Sequence, residues 1–221
     1  MSLGRTIAAL GALFFAATLC PAAHSHLSVD TSECGEDTPS TDAIAKSAEF
    51  TNKANDLKAY GELSFRHLPG SGGKTGCHVV YRLFVATNGK PFAQVKELEW
   101  DTEEGETAGV DLIGVSPNGS KLAADFWLAE GDGEEHRPVV YDSATRQAVD
   151  RPLEDKIQKQ IHGCDQNEDF IGVTNAGEAV FAVPPSVYDN SPGCGDKGLW
   201  HFNLVTGEVY RAARISGDKW E

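Results

Sequence analysis

The sequence predicts a mainly β fold of about three antiparallel four-stranded units, together with one or two short helices. From Leu112 to Val149 the chain alternates short strand candidates with tight turns, which is the pattern of one such unit. The pattern returns near the C-terminus, where Ile171 to Gly177 echoes Ile113 to Gly119. A repeated strand-and-turn pattern indicates repeated supersecondary units rather than a single irregular sheet.

The last turn of each unit sets the repeat length. These turns are Asn88-Gly89, Thr145-Arg146 and Thr206-Gly207, and their spacing along the chain is nearly even. The resulting units cover about 60–97, 110–150 and 165–211. A second alignment, which matches 83–89 to the opening hairpins of the later units, is less even, so we prefer the first.

The N-terminal segment has the composition of a secretory signal peptide. Arg5 provides a basic start, residues 7–19 are apolar, and small residues follow. Cleavage after Ser25 fits best and leaves His26 first, while cleavage after Ala22 or Ala23 remains open. We therefore expect an exported protein, periplasmic or secreted, with one domain over 26–221.

Removal of the signal peptide leaves Cys34, Cys77, Cys164 and Cys194. An even number of cysteines in an exported chain predicts two disulfide bonds. Three connectivities are compatible with four cysteines. We expect Cys34–Cys77 and Cys164–Cys194, the pairs that lie nearest along the chain.

Two helices are predicted around the first and second units. The first covers Asp42 to Lys58, because Thr41 or Asp42 can cap it and Ile44, Ala48 and Leu57 fall on one side. The second is short and links the last two units, with apolar residues four apart at Leu153, Ile157 and Ile161.

Strands are predicted from runs of β-branched and aromatic residues bounded by turn formers. In chain order they cover Tyr60–Leu68, Cys77–Val85, Lys90–Val95, Val110–Val115, Lys121–Glu130, Pro138–Asp142, Gln147–Val149, Glu178–Val183, Leu199–Leu204 and Glu208–Arg211.

The strand Lys121–Glu130 alternates with period two, so Asp125 and Trp127 share one face. An acid on a strand face is either part of a binding site beside the aromatic ring or a buried carboxylate that a backbone N–H satisfies. We expect the second arrangement.

The chain is strongly acidic, with 33 acidic and 19 basic side chains and a net charge of −14. Such a surface repels nucleic acid and anionic membranes, and it either steers a basic protein partner or serves solubility alone. We expect acidic loops at 97–111 and 130–135, and the first, a solvated loop, lacks the ligand spacing of a calcium site. The candidate binding residues are six steering charges and one aromatic anchor: Glu103, Glu104, Glu106, Asp132, Glu134, Glu135 and Trp127.

The run from Val115 to Ala123, with its Ser-Pro-Asn-Gly turn, and the run from Val139 to Gln147 resemble a β-propeller blade of the TolB-like kind. The resemblance covers 110–149 well and 169–211 loosely. It implies a partial or open propeller that recognises a partner, since three units are fewer than the four to eight or so that typically close a propeller. Closure by oligomerisation and a β-sandwich with similar hairpins are the alternatives.

The leading functional hypothesis is an exported, non-enzymatic binding protein without a cofactor, such as an inhibitor or immunity partner of a secreted protein. The alternative is an enzyme. A free N-terminal His26 resembles the copper ligand of lytic polysaccharide monooxygenases, and the second ligand would be one of His67, His78, His136, His162 and His201. Another extracellular carbohydrate-active protein belongs to the same alternative.

Overall fold

A computed structural model describes residues 25–30, 43–68, 76–103, 106–130, 133–153, 169–183, 198–216 and 219–220. These residues form three antiparallel β-sheets, and none of them lies in a helix. The mainly β, antiparallel prediction is therefore confirmed. In the same part of the chain, no helix is long and apolar enough to cross a membrane.

The first sheet has five strands in the order β2-β4-β5-β6, with β3 also paired to β4. Its strands are β2 (Ala43–Lys46), β3 (Phe50–Asn52), β4 (Leu57–Leu68), β5 (Gly76–Thr87) and β6 (Ala93–Glu103). The first sheet thus begins well before Tyr60, where the sequence placed the start of the first unit.

The predicted helix at Asp42 to Lys58 is wrong, because this segment forms β2, β3 and a tight turn. Its apolar stripe does not form a buried face, since Ile44 is 59% exposed while Phe50 and Leu57 are buried. Asp56 at the end of the turn has a positive φ of 46°, which no helix accepts. Pairing with β4 outweighs the weak helical preference of this segment.

The acidic loop expected at 97–111 is also wrong, because β6 continues to Glu103 and the next strand begins at Thr107. In β6 the exposed acids Glu97, Glu99 and Asp101 alternate with Leu98 and Trp100, which pack on the core. The period of two that marks a half-buried strand was present, but the density of acids obscured it.

The middle sheet has the strand order β1-β7-β8-β9-β10. Its strands are β1 (Ser25–Asp30), β7 (Thr107–Val115), β8 (Lys121–Glu130), β9 (Gly133–Asp142) and β10 (Gln147–Asp150). The loop expected at 130–135 is shorter, since Glu134 and Glu135 belong to β9. Ser25 is buried, and its Oγ donates to the Ala48 carbonyl at 2.7 Å. A chain cleaved after Ser25 would lose this contact.

The third sheet has the strand order β11-β12-β13-β14-β15. Its strands are β11 (Asp169–Val173), β12 (Ala179–Val183), β13 (Gly198–Phe202), β14 (Val209–Ser216) and β15 (Lys219–Trp220). The predicted helix after Leu153 lies outside the described residues.

Two hydrophobic cores place the middle sheet between the other two. Phe126 and Leu112 pack with Tyr81 and Leu63 of the first sheet. On the opposite face of the middle sheet, Ala123 and other small or branched residues pack with Phe181, Phe202 and their neighbours in the third sheet.

The opening hairpins of the middle and third sheets are built alike. Each first strand carries a β-bulge at the isoleucine of its Ile-Gly-Val run, Ile113 in β7 and Ile171 in β11. In the turns, the Ser116 carbonyl accepts the Gly119 N–H at 2.7 Å, and the Thr174 carbonyl accepts the Gly177 N–H at 3.0 Å. The sequence echo between these segments therefore corresponds to the same local backbone design.

Asparagine contacts join the turns of neighbouring sheets. Asn55 Nδ2 donates to the Asn118 carbonyl at 3.2 Å, and the Asn118 N–H donates to Asn175 Oδ1 at 3.0 Å. These contacts link the first sheet to the middle sheet and the middle sheet to the third. The corresponding turns thus lie at the same end of all three sheets.

Cys77 in β5 is buried and disulfide-bonded, and its partner lies outside the described residues, as do Cys34, Cys164 and Cys194. The proposed pairing remains a prediction.

Candidate functional site

The face of the middle sheet that packs against the third sheet has two halves. One half is apolar and lies in the core with the third sheet, and the other half is polar. Strand pairing sets His26 opposite Asp111, Asp111 opposite Asp125, and Trp127 opposite His136. Opposite residues of paired strands point to the same face. We call this group the middle-sheet patch and define it as His26, Asp111, Asp125, Trp127, Glu134 and His136.

The indole of Trp127 lies across the neighbouring strand at Gly109. A Cβ added to Gly109 would lie 2.1 Å from the indole, which no real contact allows, so the absence of a side chain is what lets the ring lie flat there. Trp127 Nε1 donates to Asp111 Oδ2 at 3.0 Å, which fixes the ring in the plane of the strands.

His26 covers the outer side of the Trp127 ring. The two ring centroids are 5.9 Å apart with an interplanar angle of 18°, and His26 Nδ1 lies 2.6 Å from Asp111 Oδ1. The His26 side chain is 59% exposed and that of Asp111 is 29% exposed, so this part of the patch borders on solvent. Asp111 therefore holds both rings of the stack.

Asp125 and His136 form a more deeply placed ion pair, with Asp125 Oδ2 2.7 Å from His136 Nδ1. Burial raises the pKa of Asp125, and Asp111 on the adjacent strand raises it further, against the lowering effect of His136. Burial alone would lower the pKa of His136, but the hydrogen bond and charge of Asp125, helped by Glu134, raise it to about 9. At neutral pH the imidazole is charged.

The expectation that a backbone N–H satisfies Asp125 was incomplete. The backbone N–H of Arg137 does lower its pKa, but the short contact is with the His136 imidazole. Asp125 Oδ1 is buried and, among the described residues, makes no hydrogen bond. The carboxylate thus shares a sheet face with Trp127 and has one oxygen unsatisfied among the described residues.

The seven predicted binding residues separate into different environments. Trp127 is partly exposed, and Glu134 is exposed, with its Oε2 3.1 Å from His136 Nε2. Glu135 is exposed but lies opposite Leu128, on the other face of the sheet. Glu106 is buried at 5% exposure, which removes it from the accessible surface. Glu103 lies at the end of β6 without a described side chain, and Glu104 and Asp132 lie outside the described residues.

Sequence reasoning missed His26, Asp111 and His136 as members of the same site. His26 and Asp111 are separated by 85 residues in the chain, and only the pairing of β1 with β7 brings them together. Asp111 lies two residues from Gly109 in β7, and Trp127 lies directly opposite Gly109, so the three residues share one face of the sheet. This relation can be predicted once the strand register is known.

Other histidine–carboxylate pairs are present on the two end sheets. His78 Nδ1 lies 2.7 Å from Asp101 Oδ1 on the first sheet, and the Asp101 side chain is 70% exposed. On the third sheet, Tyr210 donates to Glu178 Oε2 at 2.9 Å, and His201 Nδ1 lies 3.3 Å from the same oxygen. Among the described residues, neither His78 nor His201 is stacked on a tryptophan as His26 is, so these pairs provide internal controls for the patch.

The described residues contain no group of three or more His, Cys, Asp and Glu side chains that could hold a metal ion. The Nδ1 atom of His26, which a copper ion would need, is bonded to Asp111. An open cleft of about 480 Å³ lies between the turns of the first and middle sheets, but its Asn55 and Asn118 are bonded to each other.

No family model, no curated protein and no solved structure matches this chain.

Replacing Gly109 with alanine should displace the Trp127 ring and destabilise the fold by about 1–3 kcal/mol, the usual cost of overpacking. Chemical denaturation and the near-ultraviolet circular dichroism of the folded protein measure the two effects. Gly172→Ala is the matched control, because a Cβ there meets nothing within 4 Å. Equal stability of the two variants would contradict the packing of Trp127 on Gly109.

Proposed function

We propose that this is an exported, acidic, non-enzymatic binding protein that uses the middle-sheet patch to recognise a basic protein partner. The observation that carries the proposal is the gathering of three carboxylates, Asp111, Asp125 and Glu134, around one partly exposed tryptophan. Partly exposed tryptophans beside fixed charges are typical of interaction hot spots. The net charge of −14 favours rapid association with a basic surface.

We also infer that the three sheets are successive blades of an open, propeller-like array of the TolB-like kind. Support comes from the antiparallel pairing of consecutive strands in each sheet, from the matching bulges at Ile113 and Ile171, and from the asparagine contacts that align the turns. A β-sandwich is the alternative arrangement. An open array leaves loop ends and sheet faces available for recognition, which agrees with a binding role.

The proposal predicts a stoichiometric partner whose binding weakens as salt rises. The mature protein is immobilised and exposed to secreted and envelope fractions of the source organism at about 50 mM and about 500 mM salt, since exposed charges are screened over this range. One partner retained at low salt and released at high salt is the expected result.

A pair of matched double variants tests the location of the binding surface. Asp111→Asn/Glu134→Gln removes two carboxylates that contact His26 and His136, and it should abolish capture. Glu99→Gln/Asp101→Asn removes the same charge from two carboxylates that contact His78 on the first sheet, and it should retain capture. Equal loss in both variants, or no partner with the unaltered protein, would overturn the proposal.

A further inference from the structure

We propose that Asp111 and Trp127 form a niche for a flat cationic group, that His26 occupies this niche in the free protein, and that an arginine side chain of the partner displaces it. The inference rests on the proposed function, since it names the chemistry that the middle-sheet patch recognises. It adds that His26 competes with the partner for the niche, which the binding role by itself does not require.

The contacts of His26 define what the niche selects. The imidazole stacks on the indole at 5.9 Å and 18°, and its Nδ1 reaches a carboxylate oxygen at 2.6 Å. A guanidinium can make the same two contacts, because it is planar, donates from its edge to a carboxylate and stacks with its face on an aromatic ring. An ammonium group provides the charge without the plane, so arginine fits this niche better than lysine.

The base of the niche is fixed independently of His26. Gly109 allows the indole to lie flat, and the indole N–H anchors the second oxygen of Asp111. Removing His26 therefore leaves the carboxylate and the ring in position. Within the described part of the chain, each Asp111 oxygen takes part in one side-chain hydrogen bond. A carboxylate oxygen can accept two, so a bidentate guanidinium is compatible with the remaining geometry.

A second observation points to a cation at this place. Asp125 lies directly opposite Asp111 on the adjacent strand, its side chain is 4% exposed, and its Oδ1 has no hydrogen-bond partner among the described residues. Two carboxylates directly across a strand pair repel each other. His136 offsets this repulsion from one side only, so additional positive charge at Asp111 is favourable.

His26 is suited to be displaced. It lies in the N-terminal strand β1, which is the edge strand of the middle sheet, and its side chain is 59% exposed. An ion pair of this exposure favours the closed arrangement by a factor of about five or less. Competition from His26 therefore lowers the apparent affinity for a guanidinium by only a small factor.

The test is a titration of the mature protein with agmatine, which carries a guanidinium and needs no partner protein. The readout is the indole N–H resonance of Trp127, assigned with a Trp127→Phe variant. We expect agmatine to shift this resonance, His26→Ala to bind agmatine roughly twofold to fivefold more tightly than the unaltered protein, and Asp111→Asn to lose the response. Cadaverine, which carries two ammonium groups and therefore matches the charge of agmatine without the guanidinium plane, should produce a weaker shift at the same concentration.

His78→Ala is the control, because it removes a histidine from an equally short carboxylate contact on another sheet. It should leave agmatine affinity unchanged. The inference is overturned if the Trp127 resonance does not respond, or if His26→Ala binds no more tightly than the unaltered protein. A response without any captured protein partner would uphold the niche and refute the proposed function, so the two failures are distinguishable.

Discussion

Replacing Phe126 with alanine should lower the free energy of unfolding by about 3–5 kcal/mol, the range for loss of a fully buried phenylalanine. Phe126 has 0% exposure, and its ring lies 5.5 Å from the ring of Tyr81 across the two sheets. The truncation leaves a cavity between β8 and β5. Each of these strands is hydrogen-bonded to a neighbouring strand on both sides, so the backbone has little freedom to close the cavity. Denaturant unfolding of the purified protein measures the effect.

Phe92→Ala is the matched control for this change. Phe92 is 36% exposed and meets Tyr60 edge-on at the surface of the first sheet. Its truncation should cost less than about 1.5 kcal/mol, because most of the removed surface is already in contact with water or only one neighbour. Similar losses in the two variants would show that the interface between the first and middle sheets is not a packed core.

Replacing His136 with alanine should destabilise the protein by about 2–4 kcal/mol at neutral pH, because it leaves Asp125 buried without its imidazole partner. The deficit should shrink as the pH falls, because burial raises the pKa of Asp125 and a protonated carboxyl no longer needs the partner. Denaturant unfolding at neutral and at acidic pH measures the difference.

The unaltered protein should also respond to pH in a defined direction. Folding raises the pKa of His136 from 6.5 to about 9. The stability that the protonated imidazole contributes is therefore fully present below about pH 6.5 and is lost as the pH rises towards 9. Burial also raises the pKa of Asp125, which acts in the same direction. His78→Ala should change stability by about 1 kcal/mol or less, since the Asp101 partner is 70% exposed. A pH profile identical in His136→Ala and the unaltered protein would refute the pair.

Local periodicity was sufficient for the strands whose two faces differ clearly. In β8 the alternation placed Phe126 in the core and put Asp125 and Trp127 together on the opposite face, as the structure confirms. It failed at 42–58, where apolar spacing suggested a helix and pairing with β4 imposed strands. It also failed in β6, where Glu97, Glu99 and Asp101 occupy only the solvent face of a strand that was taken for a loop.

The site depended on information that no local pattern contains. Trp127 and Glu134 were identified from residue type and charge, but Glu135 was grouped with them although it faces the other way. His26 joins the patch only through the pairing of β1 with β7, and Gly109 matters only because a side chain from another strand crosses it. Strand register, which is set by long-range packing, decided which of the acids became neighbours.

The position of the middle sheet has a consequence for how the chain loses its structure. Its strands contribute Phe126 to one core and Val140 to the other, so neither end sheet can detach without exposing apolar residues of the strands that remain. A chain cut after Leu153 would present Ile113, Ala123 and Val140 to water. We therefore expect the three sheets to unfold as one cooperative unit, and a fragment that lacks the third sheet to expose the apolar surface that favours aggregation.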